Sequence, residues 1–452
     1  MAKSGATSCQ TAGVLFFLCF GLHKLLLGCY NPHMFIPYVL AMLCAGIAFA
    51  STDWTEPLKS GELFNKSKAE TDKLYLTRLT TYSVDDHTIR LAAGAVTIGE
   101  LKFGEVLVYR NAEGGISSLR IMVYNKGDDG FIDKASFEQK VDAAVAALDE
   151  LTGVKGKAGR VSAREAGLKG KSVEWTYENG VIIMEHASEN GQKKSEFKPE
   201  FIRLMIGPDA ESIDRGGASD ITKRSKLRAN VQKEEDGTVW IANIPMVDQG
   251  QKGYCVPATL ARVFAYYGMD GVDQHALAAL CKSKSAGKSG TSLDDMEDAM
   301  NSICHKFHVK IQTIEEYAAL VRALREPYDK YAKKADKPPL ASKKPFRSVD
   351  ASVLRQARAE KKSDVDKWLS TIRKYIDAGI PVLWTVQLGL YEEQGSIPQS
   401  HGAHMRMIMG YNREKRTIIY SDSWGARHAK KEIDAADAMS MTTSSYVLRL
   451  TR

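Results

Sequence analysis

The sequence predicts an α+β protein in two successive parts, and three observations carry that reading. Short β-rich runs broken by glycine-containing turns fill the first part, and one long amphipathic helix interrupts them. The second part runs through apolar helices before a set of apolar strands near its end. A chain of 452 residues exceeds one typical core, so more than one domain is expected. Apolar content of 44% and charged content of 26% are those of a soluble globular protein. The net charge of +7 falls short of a nucleic-acid-binding signature. The 10 histidines form no Cys/His cluster at zinc spacing, so metal catalysis is not expected.

The first fifty residues depart from this character. They contain Lys3 and Lys24, no acid, and apolar stretches at 14–20 and 35–49. Ala48-Phe49-Ala50 presents small residues as a signal peptidase requires, ahead of polar Ser51-Thr52-Asp53. Residues 1–50 are therefore expected to be an export leader, and the protein periplasmic, secreted or membrane-anchored. The alternative is a retained anchor that associates with a membrane. Pro32, Pro37 and the stretch lengths argue against two full spans of ~20 residues. Met34 offers another start, but a leader beginning there lacks a basic region. Cys9, Cys19, Cys29 and Cys44 belong to this segment, leaving Cys255, Cys281 and Cys304 in the mature chain. Cys281 and Cys304 each close an apolar helical stretch, and either pair with each other or remain buried thiols.

Residues 51–206 are expected to form a separate N-terminal α+β domain. Runs at 90–98, Glu105–Arg110 and 119–124 read as strands. Residues 131–151 read as a helix with Phe137, Val141, Ala144, Val145 and Leu148 on one face. A hairpin follows, 172–177 and 181–186 around Asn179-Gly180, and then a strand at 201–206. Asp85, Asp86 and His87 cluster as a solvated turn would. Residues 207–237, with Gly216-Gly217 and mixed charges, read as a linker. The second domain covers 238–452. Inside it, 322–362 carries 13 basic and 5 acidic residues. Such a run reads as a solvated helical face or loop, with attraction of an acidic partner as the alternative use.

Chemistry concentrates in the second domain. After Cys255, apolar Val256, Leu260, Val263, Phe264 and Tyr267 recur at helical spacing. A helix thus opens at the cysteine, with Pro257 in its first turn and Gly268 as its C-cap. A thiol at a helix N-terminus faces unpaired N–H groups and a positive dipole, both of which favour thiolate. Gln249, six residues earlier, offers a side-chain amide that could join the Cys255 N–H in an oxyanion hole, with Gln251 as competitor. His404 begins an apolar strand that ends near Gly410-Tyr411. Residues 418–421 form the next strand, and Asp422 comes off its end. Antiparallel pairing of these two strands sets His404 beside Asp422, the relationship that orients an imidazole base. His401 is the rival base, in a segment that reads as loop.

The Gln249-to-Cys255 spacing, the helix opening at Cys255, His404 before Gly410-Tyr411, and the run Asp422-Ser423-Trp424-Gly425 resemble the papain clan of cysteine peptidases. Within it, the chain is most similar to the bacteriocin-leader-processing family (cysteine-peptidase family 39) and its stand-alone relatives. Cys-x-Pro-Ala, a helix ending Tyr-Tyr-Gly, Gly290-Thr291-Ser292 and Gly379-Ile380-Pro381-Val382 carry that likeness. The resemblance implies a papain-like fold and hydrolysis of peptide bonds through an acyl-enzyme on Cys255, thiol chemistry that needs no cofactor. His404 would be the base, Asp422 its orienting partner where papain-like enzymes usually carry Asn, Gln249 the oxyanion donor and Trp424 a shield. Val256 departs from the Gly often found after the nucleophile, and Arg406 is unexpected in a buried strand near Asp422. No transporter segments accompany the domain. The rival readings are an amidase or acyltransferase acting on cell-wall peptides with the same fold, and a disabled binding module. The N-terminal domain would act as a pro-segment or as a substrate-docking module.

Overall fold

The computed structural model describes residues 51–76, 81–83, 87–162, 169–190, 197–213, 222–269, 272–284, 290–304, 307–393 and 401–451. The expected leader with its four cysteines, Asp85, Asp86, Gly216-Gly217 and the loop residues 398–400 before His401 lie outside them. Residues 51–452 form one compact unit.

Strands β1 (Thr81–Ser83), β2 (Thr88–Leu91), β3 (Glu105–Arg110), β4 (Ile116–Asn125), β5 (Lys157–Ala158), β6 (Lys171–Tyr177), β7 (Gly180–Asn190) and β8 (Phe197–Gly207) build the first sheet. Its order is β1-β2-β3-β4-β8-β7-β6-β5, antiparallel throughout. Helix α1 (Lys134–Thr152) buries Phe137, Ala144, Leu148 and Leu151 against it, a spacing that keeps all four on one stripe. The Asp133 side chain accepts from the Ser136 N–H at 2.7 Å and caps its first turn. The hairpin between β6 and β7 closes one residue earlier than its sequence suggests. Tyr177 pairs with Gly180, so Glu178 and Asn179 make the turn.

The second sheet holds β9 (Val231–Lys233), β10 (Thr238–Ile241), β11 (Val309–Glu315), β12 (Val382–Leu388), β13 (Gly402–Asn412), β14 (Thr417–Ser421), β15 (Lys431–Asp434) and β16 (Thr442–Leu450). The order β9-β10-β13-β12-β16-β11 is extended by β14 on β13 and β15 on β14. Helices α2 (Cys255–Tyr266), α3 (Gln274–Leu280) and α4 (Leu293–Cys304) precede most of these strands, and α2 packs on β13. From His404 to Asn412 every β13 residue is buried, so both of its faces are covered.

Part of the stretch expected as a linker is structured. Residues Arg224–Asn230 form a 3-10 turn that buries Leu227, and β9 follows directly. Leu227 joins one apolar cluster that also holds Met122, Ala187 and Phe201 from the first sheet, Leu260 and Phe264 from α2, and Tyr267 at its C-cap. The two sheets therefore share buried surface. The basic insertion is helical, with α5 (Tyr317–Lys334) and α6 (Ala351–Ala359) enclosing Leu324, Tyr328, Leu340, Phe346, Val353 and Leu354. Among the described residues no helix is long and apolar enough to cross a membrane.

Candidate active site

Helix α2 starts at Cys255 itself, with Tyr254 as an N-cap that supplies no side-chain bond. Cys255 is half-buried, and Gly268 ends the segment at φ +79°. Burial pushes this thiol up, but hydrogen bonding and charge from His404, with the N–H groups of Met405 and Val256, bring it below an ordinary thiol. Cys281 and Cys304 are buried free thiols in the structure, both pushed up to about 12 by burial. Of the three, Cys255 alone has the environment of a nucleophile.

The β13/β14 ladder sets the other half of the site. Met407 pairs with Ser421, and continuing that register puts Arg406 opposite Asp422. His404, two residues along, faces the same way. Its Nε2 lies 2.6 Å from Asp422 Oδ1, and both side chains are buried. Nδ1 is then the ring nitrogen left for the thiol. Burial alone would lower the imidazole, yet Asp422 and the Cys255 sulfur raise it to about 9. Burial likewise opposes ionisation of Asp422, and His404 and Arg406 overcome it, holding the carboxyl at about 2. Trp424 stacks on the His404 ring, centroids 4.5 Å apart and planes at 21°. His401 is exposed and precedes the strand.

Gln249 is buried and fixed at both ends of its amide. Its Oε1 accepts from Ser423 Oγ at 2.7 Å and its Nε2 donates to the Lys252 carbonyl at 2.9 Å. The Gln249 N–H also donates to the Ser423 carbonyl at 2.8 Å. One amide proton stays available, since a primary amide carries two. Gln249 thus stands against the segment that carries Asp422, whereas Gln251 is exposed.

Three supporting groups escaped sequence reasoning. Arg262, fully buried in α2, donates to the carbonyls of Pro245 at 2.8 Å and Asp422 at 3.1 Å, and to Ser421 Oγ at 2.7 Å. It joins the helix of Cys255 to the strand end of Asp422. A lone arginine in an apolar helix was the available signal. Ser423 carries Gln249, and Glu393 receives Arg406 Nη1 at 2.7 Å. Nothing in the sequence near Glu393 marks it.

Among curated proteins none matches the chain. The model of the Peptidase_C39 like family matches residues 241–448, a span that contains Gln249, Cys255, His404 and Asp422. That match supports a papain-like, C39-type cysteine peptidase domain as the C-terminal half of this α+β chain.

Proposed function

We propose that the protein is a thiol peptidase that hydrolyses peptide bonds through an acyl-enzyme on Cys255. The observation that carries this reading is the chain Cys255–His404–Asp422, in which the thiol is lowered and the imidazole raised. Such a pair rests as thiolate and imidazolium, ready to attack and to donate. The thiolate adds to the scissile carbonyl carbon, and the oxyanion is received by the Cys255 N–H and the Gln249 amide. The imidazolium passes its proton to the departing amine as the C–N bond breaks. Neutral His404 then takes a proton from water, which attacks the thioester and releases the carboxylate. Asp422 keeps the imidazole oriented throughout.

The test is Cys255→Ala in the full chain, assayed on casein and on peptidoglycan fragments. Casein cleavage lost in the variant, with the melting temperature retained, supports the peptidase. Full activity of the variant would end the thiol mechanism, and turnover of peptidoglycan fragments alone would move the substrate to the cell wall.

Export is proposed from residues 1–50, and N-terminal sequencing of the mature protein should begin at Ser51. The insertion 322–362 is proposed to hold an acidic partner, supported by exposed Lys330, Lys333, Lys334, Lys343 and Lys344 on its helices and loop. Binding of polyglutamate that survives charge reversal of these lysines would remove that role.

A further inference from the structure

The loop from Asp248 to Tyr254, which delivers Gln249 and leads into Cys255, leans on the first sheet at alternate residues. Asp248 Oδ1 faces Arg90 Nη1 of β2 at 3.5 Å. Gly250, at φ +65°, lies so close to the Arg90 guanidinium that a Cβ there would fall 2.1 Å from Nη2. Lys252 has no exposed side-chain surface, and its Nζ reaches Glu105 Oε2 of β3 at 2.7 Å and Asp128 Oδ2 at 3.1 Å. Tyr254 is buried on Gly127, where an added Cβ would stand 2.7 Å from its ring. Each of these partners comes from the N-terminal half.

Lys252 ties this contact to the site. Its Nζ also donates to the Gln249 carbonyl at 3.3 Å, while its own carbonyl accepts from Gln249 Nε2 at 2.9 Å. The same residue is thus held by the first sheet through its side chain and holds the Gln249 amide through its backbone. Glu105 is buried and also faces Arg90 Nε at 3.7 Å and His275 Nε2 at 3.6 Å. An anion in that position needs its cations, and Lys252 is the nearest of them.

We propose that Glu105 and Lys252 are positioning residues for the Gln249 oxyanion donor, so that the N-terminal sheet is a built-in part of the peptidase site and not a removable inhibitory segment. The proposal rests on the peptidase reading for its kinetic consequence. A displaced loop leaves the thiol–imidazole pair intact and moves only the amide that meets the oxyanion. Substrate binding is then little changed while the chemical step slows.

The experiment is Glu105→Gln in the full chain, alone and combined with Gln249→Ala. Turnover of a peptide should fall ~10- to 100-fold with KM little changed. Alkylation of Cys255 by iodoacetamide should keep its wild-type rate, and hydrogen exchange across 248–254 should quicken. In the Gln249→Ala background the same substitution should cost less than about twofold more, because both act on one group. Wild-type turnover in Glu105→Gln, or a full multiplicative loss on top of Gln249→Ala, would overturn the proposal. Should Glu105→Gln not fold, Asp128→Asn removes the more exposed arm of the same contact and should show the same pattern in smaller measure, with an unchanged loop and rate counting against it. Hydrogen exchange reads the loop without any assay, so failure of the peptidase reading, seen as activity persisting in Cys255→Ala, remains distinguishable.

Discussion

Arg406 and Asp422 form a fully buried ion pair, Nε to Oδ2 at 2.8 Å, on the carboxylate oxygen that His404 leaves free. The guanidinium continues to Glu393 and lies 4.8 Å from the Tyr420 ring centroid. Asp422 is therefore oriented from both sides, and the Ser423 N–H adds a third bond to Oδ1 at 3.0 Å. The arginine does not take the carboxylate from the imidazole, because each uses its own oxygen.

Arg406→Met should destabilise the fold by ~3–5 kcal/mol, since it strands two carboxylates without their shared cation. Adding Glu393→Gln should recover part of that loss by removing one of them. Urea unfolding midpoints measure both effects. A midpoint unmoved by Arg406→Met would mean that the pair contributes nothing net.

Gln249→Ala should lower turnover ~10²–10³-fold, the usual cost of one oxyanion donor, with the thiol still reactive. Gln251→Ala should be silent, because that side chain is exposed and Gln249 alone bonds to Ser423. Steady-state rates on one peptide decide between them. The opposite ranking would transfer the role to Gln251.

The pH profile should separate the two members of the Cys255–His404 pair. The thiol is lowered and the imidazole raised to about 9, so the ion pair occupies the interval between. Below it the sulfur gains a proton, and both hydrolysis and alkylation decline. Above about 9 the imidazolium loses its proton, which removes the acid for the leaving amine but leaves a thiolate. Hydrolysis should accordingly give a bell with its alkaline limb near 9, while iodoacetamide alkylation stays high. The midpoints belong to the coupled pair and not to either residue alone. Parallel decline of both rates at alkaline pH would contradict the assignment.

His404→Ala should eliminate hydrolysis and return the Cys255 thiol toward an ordinary value, whereas His401→Ala should alter at most substrate binding. The ladder explains the difference. His404 lies inside β13 with its ring on Asp422, and His401 is exposed before the strand begins. Alkylation rates across pH in both variants provide the check. Loss of activity confined to His401→Ala would displace the base.

What could be read in advance follows from how local each signal is. The α2 boundary at Cys255, the Gly268 turn and the β13/β14 pairing are written in apolar periodicity and turn residues, so the sequence carried them. The His404–Asp422 approach followed from two strands joined by a short turn. Arg406 stood out because a charge in an apolar strand needs a partner, and Asp422 was at hand. Lys252 and Glu105 gave no such signal. They are 147 positions apart in the chain, and each looks like an ordinary surface charge until the sheets meet. The buried side of Leu227 was hidden similarly, inside a polar stretch whose composition reads as linker.

The last prediction concerns the aspartate that stands where papain-like enzymes usually carry asparagine. An amide there has one acceptor oxygen, which His404 requires, and would turn its Nδ2 hydrogens toward Arg406. Donor would then face donor between two fully buried side chains, an arrangement the carboxylate avoids. Asp422→Asn should therefore cost ~10-fold or more in turnover although papain-like enzymes usually carry Asn there. In a chain already carrying Arg406→Met and Glu393→Gln the same change should cost far less, because no guanidinium remains to oppose the amide. The difference between backgrounds measures the coupling, expected within the ~0.5–3 kcal/mol found for groups in contact. Equal losses in both backgrounds would show that Arg406 and Asp422 act independently, and that the arginine is not what requires an aspartate beside His404.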